Sequence, residues 1–111
     1  MTPSIGRIVH YCLTEQNAVE IMRRRTTGAD IAARIPSKEW PVGAQAHIGN
    51  TVAAGDVFPM VIVKVWDGAE QSQVNGRVLL DGTDEYWATS VGQVVPDSVD
   101  KQGCWFEPPR V

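Results

Sequence analysis

The segment Phe58–Trp66 (FPMVIVKVW) carries the strongest strand pattern in the chain. Met60, Ile62 and the Lys64 stem share one parity; Val61, Val63 and Val65 share the other. Apolar residues at both parities predict a strand covered on both faces. Pro59 sits near its start, where a missing N–H is tolerated. Ile5–Leu13 (IGRIVHYCL) also predicts a strand, because its short β-branched and aromatic run lacks a helical period. Val74–Asp81 (VNGRVLLD) predicts a further strand, with Gly76 at a bulge. Asp81-Gly82-Thr83-Asp84 reads as a hairpin turn, and Tyr86–Val91 (YWATSV) as the strand pairing back. Cys104-Trp105-Phe106 predicts a last short strand before Pro108-Pro109. Gly43–Val52 (GAQAHIGNTV) predicts a weak strand or an extended arm, and Ala54-Gly55-Asp56 a turn.

Between the first two strands the period changes. Thr14 is the expected N-cap of a helix, with Glu15 in its first turn and Arg23–Arg25 in its last. Ala18, Ile21, Met22 and Arg25 fall on one face at spacings of three and four. Gly28 either caps this helix or is tolerated within a longer one. Asp30–Ile35 (DIAARI) predicts a second helical piece, ended by Pro36.

Five or six short strands with one helical excursion predict an α+β fold. The expected architecture is a small antiparallel β-barrel or rolled sheet of five or six strands, with a helical insertion after the first strand at about residues 14–35. That insertion either packs over an open edge or end of the barrel or projects from it into subunit contacts. The predicted core is Ile8, Val61, Val63, Val65, Val78, Leu80 and Val91.

Length and composition narrow the classes. A chain of 111 residues predicts one domain, residues 1–111. Hydrophobic residues at 43% and charged residues at 21% exclude wholesale disorder. The longest clean apolar run, Met60–Val63, stops at Lys64, so no membrane helix is expected. The N-terminus lacks the pattern of a signal peptide, and a cytosolic place, or a particle, is expected. Ten Lys+Arg against 13 Asp+Glu give a net charge of −3, which argues against non-specific binding of duplex nucleic acid. Cys12 and Cys104 read as two reduced, buried thiols; a disulfide requires the first and last strands to be neighbours. No CxxC or HxxxH spacing joins Cys12, Cys104, His10 and His47 into a metal site, and neither metal nor cofactor is expected.

Several segments together carry a resemblance. Ile5-Gly6-Arg7-Ile8-Val9-His10-Tyr11, Val61-Ile62-Val63-Lys64-Val65-Trp66, Val78-Leu79-Leu80-Asp81-Gly82, Trp87-Ala88-Thr89-Ser90 and Trp105-Phe106-Glu107-Pro108 occur in that order. In this the chain resembles a family of short proteins encoded by tailed bacteriophages and prophages. The matching segments cover about half the chain. The resemblance implies a phage source and a β-rich fold, and no reaction. Two departures stand out: a long insertion with helical character at roughly residues 14–50, and Trp-Phe at the end where the relatives read Trp-His-Trp. The insertion, absent from the shorter relatives, is expected to be an elaboration and not core.

Catalytic signatures are lacking. Ser90, His47 and Asp56 can be written as a triad, but with this many serines and acids such a set arises by chance, and no GxSxG is present. No P-loop, HExxH or GxGxxG occurs, and no carboxylate pair stands out for glycoside chemistry. A non-catalytic protein is expected.

Binding chemistry is better represented. Four tryptophans accompany only two Phe and two Tyr. Trp66 and Trp87, within strands, are expected in the core, each indole N–H needing a partner. Trp40 and Trp105 lie near element ends, where an aromatic is free to stack on a base, a peptide or a subunit, or to fold back as a lid. His10 on its strand reads as a packed structural side chain. His47-Ile48-Gly49-Asn50 suits a polar ligand and an ordinary turn equally. Arg23-Arg24-Arg25 complements a helix C-terminus or supplies part of a phosphate clamp completed by a second subunit. The expected ligand site takes Trp40 or Trp105 for stacking, Arg7, Arg24 or Arg77 for an anion, and His47 with Asn50 for polar contacts.

The function these features predict is a phage accessory protein that binds without catalysis. Its specific form is a homo-oligomeric counter-defence sponge in the host cytoplasm, trapping a nucleotide-like immune signal. The alternatives are a virion or assembly subunit of head or tail, and a direct protein inhibitor of a host defence factor.

Overall fold

The computed structural model describes residues 2–24, 49–68, 72–94 and 99–108. Trp40, His47, the predicted helical piece Asp30–Ile35 and most of the predicted Gly43–Val52 segment lie outside the described residues. Six elements follow in chain order: β1 (Ile8–Cys12), α1 (Glu15–Arg23), β2 (Val57–Val65), β3 (Val74–Leu79), β4 (Glu85–Gln93) and β5 (Cys104–Phe106).

The strands close into a five-stranded barrel in the order β1-β2-β3-β4-β5. The first four form an antiparallel meander. β5 completes the wall, antiparallel to β1 and parallel to β4. The last seam thus departs from the all-antiparallel expectation. Of the predicted Gly43–Val52 strand, the described part makes one isolated bridge, Gly49 to Gly82 on the β3–β4 hairpin.

Alternation sorts the wall into two faces. Val9, Tyr11, Met60, Ile62, Val74, Val78, Ala88, Val91 and Trp105 fill the interior. Gly76 also faces inward: a Cβ there would collide with Met60 Cγ. Each fully buried aliphatic side chain contributes about 1.5–3 kcal/mol relative to exposure. Of the predicted core, Val78, Leu80 and Val91 are buried. Ile8 is 54% exposed and Val63 42% exposed, so both leave the core, and Val61 is half-buried on the same outer side. The reason is register. Met60 opposes Val78 and Ile62 opposes Gly76, which turns the Val61 parity outward. A bulge between Ile62 and Lys64 then resets the phase, and Val65 packs against the core opposite Val74.

The helix begins as expected. Thr14 Oγ1 accepts from Asn17 N at 3.0 Å, while Asn17 Oδ1 accepts from Thr14 N at 3.0 Å, a reciprocal capping box. Ala18 and Ile21 enter the core. Met22, placed on that face by spacing, is 38% exposed, because the helix ends at Arg23 and the core face is supplied by Ala18 and Ile21. α1 covers the barrel end at which β1 and β3 finish and β2 and β4 begin.

Candidate functional site

Two arrangements of polar and aromatic side chains stand out. The first ties α1 to the barrel end. Tyr11 OH donates to Asn17 Oδ1 at 2.7 Å, Asn17 Nδ2 donates to Tyr86 OH at 3.1 Å, and Tyr86 OH donates to Glu20 Oε2 at 2.8 Å. One amide thus bridges two tyrosines from β1 and β4 and also completes the helix cap. Burial, reinforced by the neighbouring Tyr86, pushes the Tyr11 phenol up to about 12. Tyr86 is raised as well, first by burial and then by the bond to Glu20 that only the protonated phenol can make. Arg24, just past the helix, forms an ion pair with Asp84 at 3.2 Å, donates to the Glu85 carbonyl and lies 5.9 Å from the centre of the Tyr86 ring. These contacts hold the phenols neutral and the helix in place.

The second arrangement is the outer face of β2, β3 and β4. Register sets Ile8, Val61, Arg77 and Trp87 in one row across four strands. Trp87 is 60% exposed beside Arg77, whose Nη1 meets Glu85 Oε1 at 2.6 Å. Towards the far end of the barrel, Trp66 is 52% exposed and shares the face with Val63. Its Nε1 donates to Asn75 Oδ1 at 3.2 Å, and Lys64 Nζ lies 4.5 Å from the ring centre. Asn75 Oδ1 also accepts from Ser90 N at 2.8 Å. That second bond anchors Ser90, a non-glycine residue at φ 52° where β4 bulges against β3. The outer face therefore offers two flat indole surfaces, an exposed guanidinium between them in strand order, and a rigid amide beneath one ring.

The predicted site residues fall into different places. Trp105 is fully buried on the inner face of β5, which removes it as a stacking platform: its parity matches Tyr11, directly opposite on β1. Trp66 and Trp87, expected in the core, stand outside for the same reason of parity. Arg24 pairs with Asp84 within the chain, its side chain about a third exposed. Arg24 and Arg77 do converge, on the backbone and the carboxylate of Glu85 respectively. Asn50 is held at the same hairpin, its amide donating to Asp81 Oδ2 at 2.6 Å and its backbone N–H to the Asp81 carbonyl. Arg7 is exposed where the chain enters β1, its carbonyl accepting from Ile62 N. His10 packs edge-on against Phe106, ring centres 5.6 Å apart, as a structural side chain. Ser90 and Asp56 serve backbone geometry, the former at the bulge and the latter accepting from Ala53 N.

A shallow depression along α1 is lined by Glu15, Gln16, Val19, Glu20 and Arg23. Among the described residues no three His, Cys, Asp or Glu side chains gather where a metal ion would sit, and no helix is long and apolar enough to cross a membrane. Sequence reasoning passed over Trp66, Trp87 and Asn75. The signal was in the YWATSV strand, where adjacent Tyr86 and Trp87 cannot both face inward.

No family model, curated protein or solved structure matches the chain. The outer face stands on its own chemistry.

Proposed function

We propose that this protein is a non-catalytic binding protein of a tailed bacteriophage that sequesters a nucleotide-like immune signal of the host. The observation carrying this reading is the outer face on which exposed Trp87 lies directly across from Arg77, with Trp66 further along. A base stacks on an indole, worth about 1–3 kcal/mol per stacked base. Arg77 supplies a forked cation for a phosphate, exchanging the exposed Glu85 partner for a more highly charged one. Trp66, already held by Asn75, offers a second surface at little entropic cost. The exposed apolar residues around them, Ile8, Val63 and Leu79, suit burial by a second copy, so the working form is an even-numbered homo-oligomer in the host cytoplasm.

Calorimetric titration of cyclic and linear nucleotides into wild type, Trp87→Ala and Arg77→Ala tests this. One nucleotide class should bind wild type, and each variant should weaken it by roughly ten-fold or more. No heat from any nucleotide overturns the reading and favours a virion or assembly subunit. Sedimentation equilibrium showing only monomer at high concentration removes the oligomer.

A further inference from the structure

The seam between β1 and β5 that closes the barrel is a short ladder. β5 has three residues and pairs with β1 through His10–Phe106 and Tyr11–Trp105. Cys12 and Cys104 are the next residues on either strand, and there the ladder gives way to a bridge between Cys12 and Gln102. The turn before β5 holds this end of the strand against β1: Gly103, at φ 75°, donates its N–H to the Cys12 carbonyl at 2.8 Å. Tyr11 and Trp105 both point into the interior. Their neighbours Cys12 and Cys104 therefore lie together on the other side of the wall. The two cysteines thus flank the Tyr11–Trp105 pair on adjoining antiparallel strands, as neighbours across the seam. Both thiols are free, Cys12 buried and Cys104 half-buried.

We infer that Cys12 and Cys104 form an oxidisable dithiol that locks the β1–β5 seam when it meets a small disulfide oxidant of the glutathione type. The asymmetry of exposure sets the order of events. The more accessible Cys104 gives up its proton and attacks a sulfur of the oxidised glutathione, expelling one glutathione thiolate, which takes up a proton. Cys12 then loses its proton and attacks the Cys104 sulfur, forming the protein disulfide and expelling the second glutathione. The two cysteines lose two hydrogens and two electrons, and one disulfide oxidant becomes two thiols. Burial raises the Cys12 thiol, so Cys12 is a poor first nucleophile towards an external oxidant and acts as the resolving partner. In a reducing cytosol the seam stays open as thiols; in an oxidising compartment it closes.

The test uses the full chain, purified reduced and kept native, incubated with oxidised glutathione and read by intact mass, peptide mapping and thiol counting. Wild type should become lighter by two hydrogens, with a Cys12–Cys104 linked peptide, no retained glutathione and a thermal midpoint higher by roughly 10 °C. Cys12→Ser should stop at one glutathione on Cys104, and Cys104→Ser should stay unmodified while native. A wild-type chain that accumulates a stable glutathione adduct, links only to other chains, or retains both thiols overturns the inference. Wild type carries the decisive readout even if a variant fails to fold.

Discussion

Trp105 and Trp87 lie on neighbouring strands, yet Trp105 is fully buried and Trp87 is 60% exposed. The chemistry of the side chain is the same. What differs is parity. Trp105 shares the inward parity of Tyr11, whereas Trp87 shares the outward parity of Arg77. The interior ring is a packing element that shields the barrel from water. The outer ring meets water with an apolar face beside a guanidinium. β3 repeats the lesson within six residues: Val74, Gly76 and Val78 build the core, while Arg77 and Leu79 are exposed and Asn75 is buried against Trp66.

Substitutions separate the two faces, and the largest effect belongs to the interior. Trp105→Ala should lower stability by about 3–5 kcal/mol in denaturant unfolding, because a cavity replaces the largest fully buried side chain among the described residues. A loss below about 1 kcal/mol would end the distinction drawn between the two rings. Asn75→Leu should cost about 1–3 kcal/mol, since Ser90 N–H and Trp66 Nε1 both lose their acceptor at the β4 bulge. Trp66 fluorescence should change in the same variant, and an unaltered spectrum would place the indole elsewhere.

The barrel-end network gives a pH signature. Tyr11 in the folded chain titrates at about 12, above its ordinary value of 10.0. Below pH 10 both states hold the proton and the stabilisation is complete. From pH 10 to about 12 the unfolded chain releases the proton while the folded chain keeps it, so stability falls as pH rises. Tyr11→Phe should flatten that decline without removing it, because Tyr86 is raised too. An identical pH profile for the variant would refute the assignment. The smallest expected effect on stability is that of Trp87→Ala, within about 0.5 kcal/mol of wild type in the same unfolding assay. That near-neutrality makes its expected loss of nucleotide binding interpretable as loss of a contact.

Much of the fold was legible. The β5 boundaries, the Thr14 cap and the Asp81-Gly82 hairpin follow from local chemistry: strand-forming side chains, a hydroxyl ahead of free N–H groups, and a dipeptide that tolerates positive φ. The candidate site was less so. The sequence pointed to Trp105, Arg24 and Asn50, which the fold commits to the core, to Asp84 and to Asp81. A terminal position in the sequence says nothing about parity, and a charged side chain near a helix end finds its partner in the β3–β4 connection, 60 residues away.

Sequence alone determined which segments extend, where the helix starts and that a small barrel-like α+β fold results, because turns, caps and strand composition act over a few residues. Only the tertiary structure decided which parity of β2 faces inward. Met60-Val61-Ile62-Val63 is apolar at every position, so burial could favour either face. The choice was made across strands, by Gly76 leaving room for Met60 and by the bulge between Ile62 and Lys64. A side chain's inward or outward direction is a property of register, and register depends on partners distant in sequence.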